Sequence, residues 1–445
     1  MSDILIKNVT IVTMNERDEV IQGGDILISD GKIAAVGANL RAAAQGSVET
    51  VATPGPERHA RVIDATGKIA LPGFVNAHTH AAMTLFRGYA DDLPLAEWLE
   101  TKIWPAERRL TADDVYWGTL LSCDEMIRSG VTTFADQYFF MDKVAEAVEI
   151  SGMRGVLSRG LIGVAPGAEG SLKEAITFCR RWNGKAGGRI STMLGPHAIY
   201  TCPPVFIEKV VKEAEMLGVG LHIHISETQK EVRECVERYG SSPVKVLKDA
   251  GLFELKVLAA HCVHLSREDM EILAQFGVGV AHNPTSNLKL ASGIAPVPEM
   301  LKMGITVGIG TDGAASNNNL DMVEEMRLCA LIHKVTSLDP TVLPARTALR
   351  MATTFGARAV GLGKMIGSIE PGKLADIILV DAHRPHMVPA HDVVSHLVYA
   401  AHSDDISTVI INGQVVMEEG RILTIDEERV FEEVQTRARR LAGKR

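Results

Sequence analysis

The residues best suited to chemistry are three histidines and one aspartate that follow short apolar runs. His78 and His80 follow GFVNA, and His224 lies in LHIHIS. Asp312 follows TVGIGT. Neutral imidazoles and a carboxylate suit Zn²⁺ or Fe²⁺, and such a metal lowers the pKa of bound water towards neutrality. No lysine ends the third or fourth apolar run, where it could bridge a second ion. These residues therefore predict one divalent metal.

The spacing of the histidines indicates which of them face the same way. Side chains alternate along a strand, so His78 and His80 share a face, as do His222 and His224. His224 is nearer the C-terminal end of its strand, where barrel enzymes keep their chemistry. His222 lies about 7 Å deeper, which predicts a packing role. One HxH pair is weak evidence, but its combination with His224 and Asp312 is far more specific.

The elements that must position these residues are eight strand-like runs that alternate with helical patterns between residues 72 and 361. This alternation predicts an α/β fold, a (β/α)₈ TIM barrel. Only a closed barrel brings the ends of such separate strands together. The runs are GFVNAH, GVTTFAD, RGVLSRGL, ISTMLGPHAIY, VGLHIHIS, KVLAAHCVH, VGVAHN and TVGIGTD.

Both ends of the chain show short strands and turns instead. Residues 1–71 have the texture of a β-meander, interrupted by a predicted surface loop from Arg41 to Ala60. Residues 362–445 return to this β pattern and end in a predicted surface helix. We expect the two ends to build one small β-sandwich beside a barrel at 72–361.

Composition narrows the class of protein. A chain of 445 residues is too long for a single small domain. The net charge of −9 and the absence of a Lys/Arg cluster argue against a nucleic-acid partner. The N-terminal residues lack a signal-peptide pattern, and no apolar stretch suggests a membrane span. The six cysteines form no CxxC, which predicts reduced thiols in a cytoplasmic protein. Cys262, beside His261, is expected to be a small buried residue.

Five segments carry a resemblance to a known family. They resemble the amidohydrolase superfamily and, within it, the 5′-methylthioadenosine/S-adenosylhomocysteine deaminases, over nearly the whole chain. This resemblance implies a metal-dependent hydrolase that converts adenine nucleosides to inosine-type products and ammonia. Triazine and other purine hydrolases share most of these motifs. The segments are PGFVNAHTH, HIHISET, AAHCVH, HNPTSNLKL and GTDGAASNN.

The resemblance also implies catalytic roles. Glu227, three residues past His224, is expected to move a proton from water to the ring nitrogen beside the reacting carbon. His261 matches the histidine that polarises the attacking water, and Asp312 is expected to bind metal and hold a proton. His282 is not assigned to the metal.

Substrate contacts are implied at further positions. Glu107, in WPAERRL, matches a carboxylate that accepts hydrogen bonds from both ribose hydroxyls. Trp98, in LAEWLE, matches an aromatic packed on the nucleoside. Arg159 and His197 match positions near the base and sugar, and Ser316 is a weaker candidate; Glu227 is also expected to contact the substrate.

One departure from the family bears on specificity. Some members carry a second arginine about a dozen residues after the one matched by Arg159, and here Ser171 takes its place. This favours methylthioadenosine, adenosine or 5′-deoxyadenosine over S-adenosylhomocysteine. A guanine or pterin deaminase and an s-triazine chlorohydrolase remain alternatives, as does, more remotely, a non-catalytic scaffold. The resemblance also suggests a homo-oligomer.

Overall fold

The structure is a computed structural model that describes residues 3–38, 40 and 60–443. The predicted surface loop from Arg41 to Ala60 lies outside the described residues except for Ala60. The described residues form strands β1 to β17, in chain order Ile4–Val12, Val20–Ser29, Lys32–Gly37, Arg61–Asp64, Lys68–Pro72, Phe74–Thr79, Val131–Tyr138, Arg154–Leu161, Ile190–Pro196, Gly220–Ile225, Val257–His261, Gly279–His282, Thr306–Ile309, Ile377–Asp381, Ile406–Ile411, Gln414–Glu418 and Arg421–Ile422.

Helices alternate with these strands in the central part of the chain. The α-helices span Leu95–Trp98, Trp104–Glu107, Ala112–Arg128, Met141–Ser151, Ala168–Trp182, Lys185–Gly188, Pro204–Leu217, Gln229–Tyr239, Pro243–Asp249, Arg267–Gln275, Pro284–Lys289, Val297–Lys302, Met322–Ser337, Ala345–Ala352, Thr354–Ala359, Val393–Tyr399 and Glu427–Leu441. Short 3₁₀ and π turns lie at Ala81–Phe86, Leu99–Ile103, Leu252–Glu254, Pro385–Met387 and Ser403–Asp405.

The predicted barrel is confirmed. Strands β6 to β13 are parallel neighbours in chain order, and they correspond to the eight apolar runs. The first and last strands meet where the Asp312 N–H donates to the His78 carbonyl at 3.0 Å. Beside that contact, Asn76 Oδ1 accepts from the Thr311 N–H at 3.0 Å. Two of the predicted metal ligands therefore lie at the seam of the barrel.

The two chain ends also join in one unit, as expected. The C-terminal strand β14 pairs antiparallel with the N-terminal strand β5, and the mixed sheet runs β17-β16-β15-β14-β5-β1-β2-β3. The meander prediction is wrong for part of it, because β4 and β5 return to pair parallel with β1. The sheet curves until Gly31 approaches Asn412. It encloses apolar residues that include Ile6, Ile26, Ile377 and Ile410.

The C-terminal helix Glu427–Leu441 packs against helix Ala112–Arg128 of the barrel. Its Arg437 donates to the buried carboxylate of Asp114 at 3.2 Å, and Arg440 pairs with the same carboxylate. The helix therefore anchors the chain end to the barrel through one shared acid. The unit boundaries 1–71, 72–361 and 362–445 stay predictions.

Two expectations about composition can be compared with the structure. All six cysteines are free and buried, and burial raises the pKa of the Cys262 thiol. Within residues 3–38, 40 and 60–443, no helix combines the length and the apolar character needed to cross a membrane.

Candidate metal centre and active site

The predicted metal ligands converge at the C-terminal mouth of the barrel. His80 Nε2 lies 3.3 Å from Asp312 Oδ1 and 3.4 Å from His224 Nε2. His78 Nε2 lies 3.4 Å from the same Asp312 oxygen. Four donors about 2.0–2.1 Å from one zinc ion in a tetrahedron are about 3.4 Å from each other. The three distances match those of donors on one metal ion, and ligand atoms of His78, His80 and His224 all lie within 4.8 Å of one another.

Hydrogen bonds to the other ring nitrogens leave each Nε2 free to bind a metal. His80 Nδ1 donates to the Gln137 carbonyl at 2.6 Å, and His224 Nδ1 donates to the His197 carbonyl at 2.8 Å. A carbonyl only accepts, so the neutral form of each ring has its lone pair on Nε2. His78 Nε2 is buried and has no hydrogen-bond partner among the described residues. A bound metal would satisfy that atom.

His222 has a more specific position than the predicted packing role. Its Nε2 lies 2.8 Å from His78 Nδ1, and its Nδ1 lies 3.2 Å from Ser158 Oγ. The Ser158 hydroxyl donates to the Asp136 carbonyl at 2.8 Å, so it accepts from His222. His222 Nε2 then accepts from His78 Nδ1–H. This relay leaves the lone pair of His78 on its Nε2, facing the other ligands.

The second oxygen of Asp312 is held by two hydroxyls. Ser286 Oγ donates to Asp312 Oδ2 at 2.6 Å, and Ser316 Oγ donates to it at 2.9 Å. These contacts leave Asp312 Oδ1 directed at the histidines. Ser316, a predicted substrate contact, is buried and in this structure orients the carboxylate. Behind both serine loops, Glu325 accepts from the Thr285 N–H at 3.2 Å and from Asn317 Nδ2 at 2.6 Å.

The charges within this cluster follow from burial and from Asp312. Burial lowers the pKa of His78 to about 4 and also lowers the pKa of His224. For His80, burial acts in the same direction, but the Asp312 carboxylate outweighs it and raises the pKa to about 9. Burial would raise the pKa of Asp312, yet contacts with His78 and His80 lower it well below its usual range. The ionised Asp312 thus lies beside neutral rings of His78 and His224 and keeps a proton on His80, and a bound cation would take the place of that proton.

Glu227 and Glu231 form a buried acidic pair at the end of β10. Glu231 accepts from the backbone N–H groups of Ser226 at 2.9 Å and of Glu227 at 2.7 Å. The Glu227 carboxylate accepts from Ser292 Oγ at 3.3 Å. Burial raises the pKa of Glu227 and raises that of Glu231 to about 7. A carboxyl with a raised pKa can both accept and return a proton near neutral pH.

His261 completes the group at the mouth. Its Nε2 is 4.0 Å from Glu227 Oε2, and its Nδ1 lies 2.8 Å from Asn287 Oδ1. The amide oxygen fixes the tautomer with hydrogen on Nδ1, so Nε2 faces the site as a base. Ligand atoms of His261, His78 and Asp312 all lie within 4.8 Å of one another.

The strand ends that carry these groups adopt an unusual backbone conformation. Four residues have positive φ in the left-handed region, namely Ser226 (52°), His261 (72°), Cys262 (51°) and Asp312 (58°). Side chains other than glycine adopt this conformation at a cost, and such positions cluster at functional sites. The turns direct the side chains across the barrel mouth, where ordinary strand alternation would not.

Two cavities flank the metal cluster. One of about 880 Å³ is lined by Glu227, Ser292 and His264, and the other of about 850 Å³ is lined by Glu107 and Arg159. Trp104 lines both cavities. A larger cavity of about 1190 Å³ lies at the opposite end of the barrel, beside Gly279 and Thr306, and is remote from these groups. The two cavities at the mouth adjoin the groups that can do chemistry, which makes them the candidate substrate site.

The predicted sugar and tail contacts lie in the second cavity. Glu107 accepts from Tyr138 Oη at 2.7 Å, and burial raises its pKa to about 7. Arg159 pairs with Glu174 at 2.5 Å and lies 3.5 Å from Ser171 Oγ. The charge of Arg159 is therefore offset by an acid that we did not anticipate from the sequence.

The two remaining predicted substrate contacts, His197 and Trp98, lie in different environments. His197 Nδ1 lies 2.9 Å from Thr201 Oγ1, and its ring centroid is 4.9 Å from that of the predicted ligand His224. Burial lowers the pKa of His197 to about 3, so the ring is neutral. Trp98 is only 5% exposed and donates to the Ala90 carbonyl at 2.9 Å, whereas Trp104 faces the cavities.

Several residues of the site were missed by sequence reasoning. Glu231 is four residues past Glu227 and could have been suspected as an acid in the first turn of a helix. The others gave no signal, because their contacts join segments far apart in the chain. They are His222 as a hydrogen-bond partner of a ligand, Ser286, Asn287 and Glu325.

Comparison with known proteins bears on the identity of this site. The sequence profile of the family described as Amidohydrolase family matches residues 69–416, most of the chain. The chain belongs to the amidohydrolase family. The resemblance to amidohydrolases that the sequence motifs predicted is therefore confirmed. The chain is an enzyme of the hydrolase class.

Individual amidohydrolases are similar over the full length. A 5-methylthioadenosine/S-adenosylhomocysteine deaminase of Pelotomaculum thermopropionicum is 56% identical over 444 residues, 100% of both chains. A 5′-deoxyadenosine deaminase of Methanosarcina mazei is 51% identical, covering 100% of this chain and 99% of that protein. A zinc-bound adenosine deaminase structure from Xanthomonas campestris superposes with a TM-score of 0.93 at 35% identity and 99% coverage of both chains. The resemblance to this deaminase group is confirmed.

Proposed function

We propose that this amidohydrolase is a metal-dependent deaminase of adenine nucleosides, which yields an inosine-type product and ammonia. The observation that carries the proposal is the convergence of His78, His80, His224 and Asp312 at metal-ligand distances beside the buried carboxylate of Glu227. The full-length relatives named as adenosine-type deaminases support the same reaction.

The metal is one divalent ion, Zn²⁺ first and Fe²⁺ second. Three imidazole nitrogens and one carboxylate suit either ion, and a related structure contains zinc. When bound, such an ion acts as a Lewis acid and lowers the pKa of water to near neutrality. His78, His80, His224 and Asp312 would hold it.

The proton transfers are proposed for Glu227, His261 and Asp312. Glu227 takes a proton from water and gives it to the ring nitrogen beside the carbon that carries the amino group. Its raised pKa suits both steps. His261 presents its Nε2 lone pair to the attacking water, because Asn287 holds the proton on Nδ1. Asp312 takes the proton of the added hydroxyl and gives it to the amino group, which then leaves as ammonia.

The nucleoside would lie across the two cavities at the mouth. Glu107 accepts hydrogen bonds from the two ribose hydroxyls, and Tyr138 holds that carboxylate in place. His197, a neutral ring beside His224, contacts the base or sugar. Trp98 and Ser316 stay proposed contacts of lower weight, because Trp98 is buried and the Ser316 hydroxyl is used by Asp312.

The group at the 5′ position is proposed to be uncharged. Ser171 replaces a second arginine, and Glu174 offsets the charge of Arg159. The amino-acid carboxylate of S-adenosylhomocysteine would therefore meet little positive charge. Phe139, Val164 and other apolar side chains of the same cavity suit a methylthio or methyl group. Methylthioadenosine and 5′-deoxyadenosine are the preferred substrates in this proposal.

The alternatives differ in what they require of Glu107. A guanine or pterin deaminase and an s-triazine chlorohydrolase act on substrates without ribose, so a carboxylate held for two hydroxyls would have no purpose. A non-catalytic scaffold would have no need for four intact metal ligands. We further propose a cytoplasmic location and a homo-oligomer, which rest on the free cysteines and the family resemblance respectively.

The decisive experiment follows ultraviolet absorbance and released ammonia together. Zn²⁺-loaded protein is incubated with 5′-methylthioadenosine, adenosine, S-adenosylhomocysteine and guanine in parallel. We expect loss of the adenine band with one equivalent of ammonia. Absence of turnover with every adenine nucleoside by metal-loaded protein would reject the proposal and favour guanine, pterins or chlorinated triazines.

A further inference from the structure

A second cluster of metal-binding side chains lies outside the active site. His282 ends β12, while Cys329 and His333 lie on helix Met322–Ser337. Cys329 and His333 are four residues apart and therefore share one face of that helix. Ala281 belongs to the interior of the barrel, so its neighbour His282 points the other way, towards the helix.

The three side chains meet at short distances and are fully buried. The Nε2 atoms of His282 and His333 lie 3.3 Å apart. One ligand atom from each of the two rings and Cys329 Sγ all lie within 4.8 Å of one another. The residues are 1%, 1% and 0% exposed for His282, His333 and Cys329. None of them is a ligand of the metal centre at the barrel mouth.

Hydrogen bonding alone explains this arrangement poorly. A contact of 3.3 Å between two ring nitrogens is longer than the range of about 2.7–3.2 Å for good hydrogen bonds from N–H groups. His282 Nδ1 is also buried without a hydrogen-bond partner among the described residues. The nitrogen separation instead matches the edge of about 3.4 Å expected for two donors on one tetrahedral zinc ion.

The donor set defines the kind of ion. Burial lowers the pKa of both His282 and His333, so both rings are neutral and present lone pairs. Two imidazoles and one thiolate suit Zn²⁺ and similar thiophilic ions and do not suit Mg²⁺ or Ca²⁺. Glu325, one turn before Cys329, already accepts from Thr285 and Asn317 and is therefore not counted as a donor.

We propose that His282, Cys329 and His333 form a second, structural site for a thiophilic divalent ion such as Zn²⁺. Binding releases the thiol proton of Cys329 to solvent and forms one metal–thiolate bond and two metal–imidazole bonds. The ion joins the seventh strand of the barrel to the helix that follows the eighth. That helix also carries Glu325, which holds the two loops around Asp312.

Cobalt distinguishes this site from the catalytic one. The donors at the barrel mouth are nitrogens and oxygens, whereas the second site contains a thiolate. Metal-free full-length protein is titrated with Co²⁺, and the near-ultraviolet thiolate-to-cobalt charge-transfer band is followed. We expect this band to reach its plateau no later than two equivalents per chain, one for each site, and to be lost in Cys329→Ala. The matched control Cys123→Ala, also a buried helical cysteine, should keep it.

Zinc content gives an independent measurement. After loading and gel filtration, the wild-type chain should hold two zinc ions, and His333→Gln should hold one. A single zinc ion and no thiolate band in the wild type would overturn the proposal. So would a second ion that persists in both Cys329→Ala and His333→Gln, because it would then bind elsewhere. The wild-type results decide the matter even if a variant does not fold.

Discussion

Glu231 holds the backbone of Glu227 in place, with its Oε2 accepting from the Glu227 N–H at 2.7 Å. The other oxygen of Glu231 accepts from the N–H of Ser226, whose φ of 52° turns the chain after β10. One buried carboxylate thus fixes the turn that directs the proposed proton carrier into the cavity. The proposed proton carrier is therefore positioned by an acid that need not touch the substrate.

Replacement of Glu231 tests this relationship. Glu231→Ala should lower kcat by about 100-fold, because misplacement of a catalytic group by about 1 Å has an effect of that size. KM for methylthioadenosine should change much less. Two buried N–H groups would lose their acceptor, at about 1–3 kcal/mol each in the free energy of unfolding. Steady-state kinetics and urea unfolding measure both effects.

The exposed Glu237 on the same helix provides the control for this prediction, because it lines neither cavity at the mouth. Glu237→Ala should leave kcat and stability close to those of the wild type. Equal losses of kcat in Glu231→Ala and Glu237→Ala, or an unchanged kcat in Glu231→Ala, would contradict the positioning role.

The pH dependence of substrate binding should report Glu107. Burial raises its pKa to about 7 from an ordinary 4.5, so the carboxylate forms only as the pH rises through about 7. The ionised form accepts hydrogen bonds from both ribose hydroxyls, so KM for nucleosides should fall over that interval. Glu107→Gln should raise KM and remove its pH dependence, whereas the exposed Glu97→Gln should not. A KM in wild-type protein that is flat from pH 6 to about 8 would contradict this role.

The same pKa determines how Glu107 affects the stability of the free protein. Because its pKa is higher in the folded state than in the unfolded state, its stabilising contribution is complete below pH 4.5 and is lost as the pH rises through about 7. Thermal unfolding at pH 8, about one unit above that pKa, should therefore show Glu107→Gln to be more stable than the wild type. If Glu107→Gln were less stable than the wild type at this pH, burial would not be the cause of the raised pKa of Glu107.

Removal of the metal should destabilise the protein as well as inactivate it. Zn²⁺ at about 100 times its dissociation constant adds about 2.7 kcal/mol to the free energy of unfolding. Chelation should therefore lower Tm, and Zn²⁺ but not Mg²⁺ should restore it, because imidazole ligands favour zinc. In His80→Ala, the part of the Tm increase that comes from Zn²⁺ at the barrel mouth should be lost. If Mg²⁺ restored both Tm and activity equally well, the proposed ligand set would be wrong.

The ion pair between Arg159 and Glu174 should set the preference for the 5′ substituent. Glu174→Ala frees Arg159 to meet the amino-acid carboxylate of S-adenosylhomocysteine. An exposed ion pair is worth up to about 1 kcal/mol, so kcat/KM for this substrate relative to methylthioadenosine should rise by about fivefold. Glu169→Ala, which removes another exposed acid of the same helix, should leave the ratio unchanged. If the ratio stays constant in Glu174→Ala, the ion pair between Arg159 and Glu174 does not set the preference for the 5′ substituent.

The local pattern of the sequence was sufficient for the fold class and for the choice of the proposed metal ligands. Apolar runs of strand length alternate with helical periods, and this repetition has few solutions other than the barrel. The HxH spacing of His78 and His80 requires only strand alternation to put both rings on one face. These features depend on neighbours in the chain, so they could be read before the structure was known.

The tertiary structure alone decided how these groups are oriented and charged. The relay from Ser158 through His222 to His78, the two hydroxyls on Asp312 and the pairing of Arg159 with Glu174 join residues separated by many positions in sequence. Closure of the barrel determines which side chains meet, and burial then determines the charge each carries. The local periodicity of the sequence predicts neither the contacts nor the charges, because both depend on the distances between separate strands.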